Sequence, residues 1–265
     1  MKRIATIILT ITALFAILVG CGSKSEDKEA DKSSEGKEKI VIGIDDKFAP
    51  MGFRDEQNNI VGFDIDYATA AAEHMGVEVQ FQPIDWKTKE SELSSGRIDL
   101  IWNGYTINET RKKQVLFTKP YLKNTQVVVT LADSKIKKLD DLAGKEVGLQ
   151  GLSSALDALN ANPIKDKIKK VNEFGDNVLA LSDLKSGRVD AVVIDEVVIK
   201  YYMSKEKDTF KLLDEALAPE EYGVGVKKGN EELLNKLQAA LDQLNEDGTA
   251  AEISEKWFGE NKVLK

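Results

Sequence analysis

Short apolar runs alternate with helix-forming segments along most of the chain, from residue 39 onward. Buried strands are predicted over residues 40–44, 77–81 and 98–102, and helices over residues 63–75 and 87–95. Gly76 and Gly96 directly follow the two helical segments, at a position where glycine commonly ends a helix. Because strands that alternate with helices form parallel sheets covered on both faces, the pattern predicts an α/β fold.

A segment of nine residues recurs about ninety positions later in the chain. The segment LSSGRIDLI at residues 93–101 corresponds to LKSGRVDAV at residues 184–192. In both copies a predicted helix ends at a glycine, and a charged residue and a short apolar strand follow. The recurrence predicts two similar α/β lobes, with chance repetition of a common junction as the alternative.

Polar residues follow the predicted strands at the points where a ligand would bind. Asp45 follows the first strand, residues 103–106 follow the third, and Asp195 ends the strand of the second copy. Open α/β sheets bind ligands beyond the carboxyl ends of their strands. We therefore expect these residues to converge on a cleft between the two lobes.

The first twenty residues have the pattern of an export signal. Lys2 and Arg3 precede an apolar stretch at residues 4–19, which is shorter than a membrane-spanning helix requires. The sequence LVGC at residues 18–21 resembles a lipobox, which implies a signal peptide over residues 1–20 and a lipid, such as palmitate, on Cys21. The alternative is an ordinary signal peptide with an incidental cysteine.

The segment after Cys21 carries no large apolar residue between residues 22 and 37. Such a segment cannot bury a core, so residues 21–38 are predicted to be a disordered tether that reaches about 20–25 Å on average. Two acyl chains are enough to hold a protein at a membrane surface. We therefore expect a lipid-anchored protein at the cell membrane that faces the outside of the cytoplasm.

Charge and composition exclude several other classes of function. The 45 acidic residues outnumber the 37 basic ones, a balance that argues against sequence-independent binding of nucleic acid. The chain has one cysteine and one histidine, Cys21 and His74, which excludes a Cys/His zinc site and an internal disulfide. Neither the dinucleotide fingerprint nor the phosphate-binding loop of ATPases occurs, so no cofactor is predicted. For His74 we expect a surface or packing role.

Four motifs resemble those of the bacterial extracellular solute-binding proteins of family 3, the polar amino-acid-binding proteins of ABC importers. They are GFDIDY at residues 62–67, IWNGYTINETR at 101–111, VGLQGLSSA at 147–155 and AVVID at 191–195. They occur in the order that the family shows, over residues 39–260. The chain departs from the family pattern at Tyr67, where leucine is usual, and at Leu152, where glycine is more usual.

The resemblance implies a two-lobed periplasmic-binding-protein-like fold of type II, in which two hinge strands join the lobes. The crossings would lie near residues 127–131 and 218–226. Lobe 1 would comprise residues 39–130 with 221–265, and lobe 2 residues 131–220. The lobes of such a protein close on a ligand by hinge motion.

The resemblance also implies a site that binds the two charges of a free amino acid. Arg111 would bind the carboxylate with its planar guanidinium, and Asp195 would accept from the ammonium. A solvated position in the basic run 111–113 is the alternative for Arg111, and helix capping is the alternative for Asp195. Further contacts with the carboxylate and the ammonium of the ligand would come from the Gly104 carbonyl, Thr106, and Ser153 and Ser154 at the start of a helix.

Two aromatic residues and three polar ones are assigned by the resemblance to the ligand's side chain. Phe48 and Trp86 would flank it, although Trp86 is also a candidate core residue. Asp45, Asn103 and Gln150 would contact its distal end. The acidic pair at residues 45 and 46 favours a cationic tip, and an amide-bearing side chain or cystine remains open.

Taken with the export signal, the resemblance predicts a monomeric receptor that captures a polar amino acid and delivers it to an ABC permease and its ATPase. No bond is made or broken in this function. One alternative is an enzyme similar to the cyclohexadienyl dehydratases, which look like this family. The other is the ligand-binding module of a sensor.

Overall fold

The computed structural model describes residues 38–264. The predicted signal peptide, Cys21 and all of the predicted tether except residue 38 lie outside these residues. The strands are β1 (Lys39–Ile44), β2 (Lys47–Phe48), β3 (Gly52–Arg54), β4 (Ile60–Val61), β5 (Glu78–Pro83), β6 (Leu100–Ile101), β7 (Val115–Phe117), β8 (Leu122–Leu131), β9 (Glu146–Gln150), β10 (Lys170–Phe174), β11 (Ala191–Asp195), β12 (Phe210–Leu212), β13 (Ala218–Tyr222) and β14 (Gly225–Lys227). The helices are α1 (Phe63–Met75), α2 (Lys89–Ser95), α3 (Glu109–Lys112), α4 (Ser154–Ala161), α5 (Asn177–Lys185), α6 (Glu196–Lys205), α7 (Glu231–Glu246) and α8 (Thr249–Phe258).

The first lobe is built on a five-stranded sheet in the order β5-β1-β6-β14-β7. Strand β1 runs parallel to β5 and β6, as the alternation of strands and helices predicts. Helix α1 begins and ends at the predicted residues, and Gly76 after it adopts the left-handed conformation with φ 70°. Strand β6 is shorter than predicted, although Ile98 just before it is fully buried.

The second lobe is built on a sheet in the order β10-β9-β11-β8-β12. Strands β9, β10 and β11 are parallel, whereas β8 is antiparallel to β11 and β12. Both copies of the repeated segment form the predicted junction: Gly96 after α2 and Gly187 after α5 have φ near 78° and 71°. The α/β fold with two similar lobes is therefore confirmed.

One long strand, β8, belongs to both the hinge and the second sheet. Its first half, residues 122–126, pairs antiparallel with β13. Its second half pairs with β11 and β12 inside the second sheet, where Val127 lies opposite Ile194. The segment of β8 that pairs with β13 thus precedes residues 127–131, which pair with β11 and β12 in the second sheet. The crossings near residues 127–131 and 218–226 stay predictions. The lobe boundaries at residues 130 and 220 stay predictions.

Aromatic packing fills the first lobe around helix α1. Tyr67, which stands where the family usually has leucine, is fully buried, and its ring centroid is 5.7 Å from that of Trp102. His74 lies at the surface end of α1 with its Nε2 3.3 Å from Asp247 Oδ2, as a surface role predicts. Among residues 38–264, no helix is long and apolar enough to cross a membrane.

Candidate functional site

A small cavity of about 10 Å³ lies where loops of the two lobes meet. It contains eight of the eleven predicted site residues, and no other residue lines it in the described part of the chain. Arg111 of the first lobe and Asp195 of the second lobe therefore face one shared space. The lining residues are Phe48, Trp86, Gly104, Arg111, Gln150, Ser153, Ser154 and Asp195.

A larger groove of about 860 Å³ lies elsewhere, between Phe53, Tyr201 and Trp257. It is open to solvent and includes none of the predicted site residues. A charged small molecule is better held in an enclosed site, where water does not screen its ion pairs. The small cavity is therefore the candidate ligand site.

The Arg111 side chain is buried, with 5% of its surface exposed, which excludes a solvated position. Its Nη1 donates to the Thr106 carbonyl at 2.9 Å, and its Cζ lies 4.6 Å from the centre of the Tyr105 ring. Glu90 Oε1 lies 3.9 Å from its Nε and also accepts from the Tyr105 hydroxyl. Since a guanidinium has five N–H donors, these contacts fix its position and leave donors for an anion in the cavity.

The start of helix α4 lines the cavity on the side of the second lobe. Ser153 occupies the N-cap position, as predicted, but its hydroxyl does not cap the helix. That hydroxyl instead donates to the Gln150 carbonyl at 2.6 Å, which fixes the loop before the helix. The Ser154 hydroxyl accepts from Thr106 Oγ1 at 3.0 Å, across the two lobes. A helix N-terminus with free N–H groups here favours the carboxylate of a ligand.

Asp195 ends strand β11 and is 4% exposed. Its side chain makes no capping hydrogen bond to α6, although it stands at the N-cap position. Its Oδ1 accepts from Asn124 Nδ2 at 2.9 Å and from the Tyr222 hydroxyl. Burial, and then the neighbouring Glu220 carboxylate, raise its pKa well above the ordinary value of 3.8. A cation in the cavity would stabilise its ionised form.

The hinge strands supply polar residues that the sequence analysis missed. Glu220 Oε1 accepts from Asn124 and from Gln126, whose amide nitrogen lies 2.8 Å away. Gln126 also donates to Ser154 Oγ at 3.2 Å. The available signal was the alternation within β8, where Asn124 and Gln126 are buried polar residues two positions apart and therefore face the same side of the strand.

Asp45 and Gln150 meet across the lobes at the other end of the cavity. Gln150 Nε2 donates to Asp45 Oδ2 at 2.7 Å, and the Lys47 N–H donates to Asp45 Oδ1 at 3.0 Å. Gln150 lines the cavity, whereas Asp45 lies behind it. Burial raises the pKa of Asp45 to about 6. Lys47 also reaches the second lobe, where its Nζ lies 2.9 Å from Asp176 Oδ2.

Asn103 and Thr106 are buried next to the cavity but do not line it. The Asn103 side chain has no hydrogen-bond partner among residues 38–264 and packs against Gly52, where an added Cβ would lie 2.2 Å from Asn103 Oδ1. The Thr106 carbonyl accepts from Arg111, and the Thr106 hydroxyl donates to the Ser154 hydroxyl. Their predicted contacts with a ligand stay predictions.

The GFDIDY motif holds the loop that carries Gly104. Asp64 Oδ2 accepts from the Gly104 N–H at 2.7 Å, and burial raises the pKa of Asp64 to about 7. Gly104 has φ 58°, and a Cβ there would lie 2.7 Å from the Phe48 ring. Only glycine fits this approach of the backbone to the cavity wall.

The aromatic residues Phe48 and Trp86 are each 6% exposed and form the apolar part of the lining. Trp86 is also a core residue, with its ring centre 6.0 Å from that of Tyr105. The two interpretations of Trp86 are therefore compatible. Within residues 38–264, no group of His, Cys, Asp and Glu side chains could hold a metal ion.

Comparison with known proteins identifies relatives of this chain. The L-cystine-binding protein TcyJ of Escherichia coli (strain K12) is 33% identical over 222 residues, which cover 83% of this chain and 82% of that protein. The arginine-binding extracellular protein ArtP of Bacillus subtilis (strain 168) is 30% identical over 262 residues, covering 97% of this chain and 98% of that protein.

A solved structure with the same fold contains a bound amino acid. It is an ABC uptake transporter substrate binding protein from Streptococcus pneumoniae with bound histidine, 41% identical, with a TM-score of 0.83 over 86% of this chain and 95% of that one. The model of the bacterial extracellular solute-binding proteins, family 3, matches residues 40–260. These relatives are binding proteins, and this chain belongs to the bacterial extracellular solute-binding proteins of family 3.

Proposed function

We propose that this protein binds one free polar amino acid between its lobes and delivers it to an ABC permease and its ATPase. The observation that carries the proposal is the shared cavity lined by Arg111 and Asp195. A free amino acid has one carboxylate and one ammonium, and burying either charge without a partner costs several kcal/mol. A buried cation and a buried anion on opposite sides of one cavity match those two charges.

Closure follows from the same arrangement. Arg111 belongs to the first lobe and Asp195 to the second, so a ligand that contacts both stabilises only the closed form. Charge-assisted hydrogen bonds contribute about 1.5–3 kcal/mol each. Micromolar affinity requires a binding free energy of about 8 kcal/mol. A few such hydrogen bonds, together with apolar burial against Phe48 and Trp86, supply it.

The ligand class follows from Gln150, which lines the cavity with Asp45 behind it. The Gln150 amide N–H groups donate to Asp45 and to the Gly175 carbonyl, so acceptor capacity at Gln150 Oε1 and Asp45 is what this side offers a ligand. We infer a side chain whose tip donates hydrogen bonds: a cationic group, an amide, or the second ammonium of cystine. The relatives' names fit this class, because they include cystine, arginine, glutamine and histidine.

A thermal-shift screen of the full mature chain tests the binding function. The panel comprises the twenty amino acids, ornithine and L-cystine. A ligand that binds only the folded state raises the unfolding temperature, and we expect one of the side-chain classes above to give the largest rise. Failure of every amino acid in the panel to raise the unfolding temperature would contradict the proposed function.

Attachment to the membrane through Cys21 is a separate part of the proposal, supported by the LVGC sequence. A Cys21→Ser variant lacks the thiol that carries the lipid, so we expect it in the soluble fraction outside the cytoplasm. The unsubstituted protein and a Ser25→Ala control are expected in the membrane fraction. Membrane attachment of the Cys21→Ser variant, measured by fractionation and immunoblotting, would contradict lipidation at this residue.

A further inference from the structure

A lysine is almost fully buried where the two lobes meet. Lys89, the first residue of α2, has a side chain that is 2% exposed. Its Nζ donates to the Trp86 carbonyl of its own lobe at 3.1 Å and to the Leu152 carbonyl of the second lobe at 3.0 Å. Lysine is rarely buried to this extent. The position therefore needs an explanation other than solubility.

The charge on Lys89 is costly to the folded chain. Burial, and then the neighbouring Arg111, lower its pKa to about 8, so the group is still mainly charged at neutral pH. The acidic groups near it are Glu90 on its own helix, whose Oε2 lies 3.3 Å away, and Asp157 on α4. Its contacts offset part of this cost, and removing one partner of a buried ion pair is destabilising.

The partner of Lys89 is an unusual residue. Leu152 has φ 52°, a left-handed conformation that disfavours a side chain with a Cβ. Its side chain is 55% exposed, so apolar packing does not explain the conformation. Strained backbone persists only when surrounding contacts hold it, and the hydrogen bond from Lys89 to the Leu152 carbonyl is such a contact.

The strained loop leads directly into the cavity. Ser153 and Ser154 follow Leu152, and both line the cavity at the start of helix α4. A hydrogen bond that fixes Leu152 from the opposite lobe therefore also fixes the position of the helix N-terminus relative to Arg111.

We propose that Lys89 is a positioning residue for the ligand's carboxylate: it ties the loop before α4 to the first lobe in the closed form and adds a second positive charge beside Arg111. This role rests on the proposed amino-acid binding. It predicts that loss of the lysine weakens ligand binding by a protein that is still folded.

A Lys89→Met variant tests the proposal, because methionine keeps most of the length and removes the charge. The full mature chain is titrated by calorimetry with L-arginine, L-histidine, L-glutamine and L-cystine, and unfolding is followed without ligand at neutral pH. For the panel member that binds the unsubstituted protein, we expect the variant's Kd to rise about 10-fold or more. We expect its unfolding temperature to fall, since Glu90 and two carbonyls lose their partner, so the Kd is measured well below that temperature.

Lys228→Met is the matched control, because it makes the same substitution at an exposed lysine of the first lobe. We expect its Kd to stay within about 2-fold of the original value. Unchanged affinity of a folded Lys89→Met variant would overturn the role, because a purely structural residue changes the unfolding temperature and leaves the Kd of the folded protein unaltered. If no panel member binds the unsubstituted protein, amino-acid binding itself fails, which this comparison distinguishes from failure of the Lys89 role alone.

Discussion

Replacing Arg111 with alanine is expected to weaken amino-acid binding by two orders of magnitude or more. The ligand's carboxylate would then enter a buried site without its cationic partner, and stranding one member of a buried ion pair costs about 3–5 kcal/mol. Loss of the guanidinium also removes the contacts to the Thr106 carbonyl and the Tyr105 ring. Calorimetric titration with the best ligand of the amino-acid screen measures the effect.

The control for Arg111→Ala is Arg97→Ala, in the same lobe. The Arg97 side chain is 62% exposed and pairs with Glu92 at the surface, where ion pairs contribute little. We expect the control to bind as the unsubstituted protein does. Far-UV circular dichroism of both variants establishes that they are folded. Unchanged affinity of a folded Arg111→Ala variant would show that this residue does not bind the carboxylate.

Arg111 of the first lobe and Asp195 of the second lobe line one cavity, and this placement connects binding to closure. Both side chains are buried, so each charge is desolvated in the unliganded site. A zwitterion offsets both at once, so its binding energy is available to shift the lobes toward closure.

The fold was predictable because local signals agree with the tertiary structure. Helix α1 has the predicted bounds, and Gly76 and Gly96 end helices in the left-handed conformation that glycine allows. The repeated segment gives the same helix-glycine-strand junction in each lobe. The hinge was less predictable, because an apolar run such as the three valines at residues 127–129 suits both a crossing between lobes and a strand inside a sheet.

The cavity lining was predictable where one motif carries a residue to the end of a strand, as for Gly104, Gln150 and Asp195. What the sequence does not encode locally is how side chains from distant segments share hydrogen bonds. Glu220 meets Asn124 only because β13 pairs with β8, nearly a hundred positions away. Ser153 and Ser154 were expected at the start of a helix, but the sequence does not show that the Ser153 hydroxyl donates to the Gln150 carbonyl.

Substitution of Asp195 with asparagine is expected to weaken binding about 100-fold and to remove most of the pH dependence of the affinity. Burial and the nearby Glu220 raise the pKa of Asp195 in the unliganded site above its ordinary value of 3.8. A fraction of the molecules therefore carries a neutral Asp195 at pH values where an exposed aspartate is ionised. A bound ammonium favours the ionised form, so binding lowers this pKa and releases a proton. The affinity of the unsubstituted protein should therefore rise as the pH rises above about 4.

Asparagine has nearly the same shape as aspartate but does not ionise, so it separates the charge of residue 195 from its packing. Titrations from about pH 5 to about pH 8 should give a rising affinity for the unsubstituted protein and for Asp133→Asn, a control at an exposed turn of the second lobe. For Asp195→Asn, the remaining slope should be the smaller one due to Asp45, whose pKa is raised to about 6. An Asp195→Asn variant with the original slope and affinity would assign the ammonium to another residue, and the proposal that opposite charges on the two lobes bind the ligand would then fail.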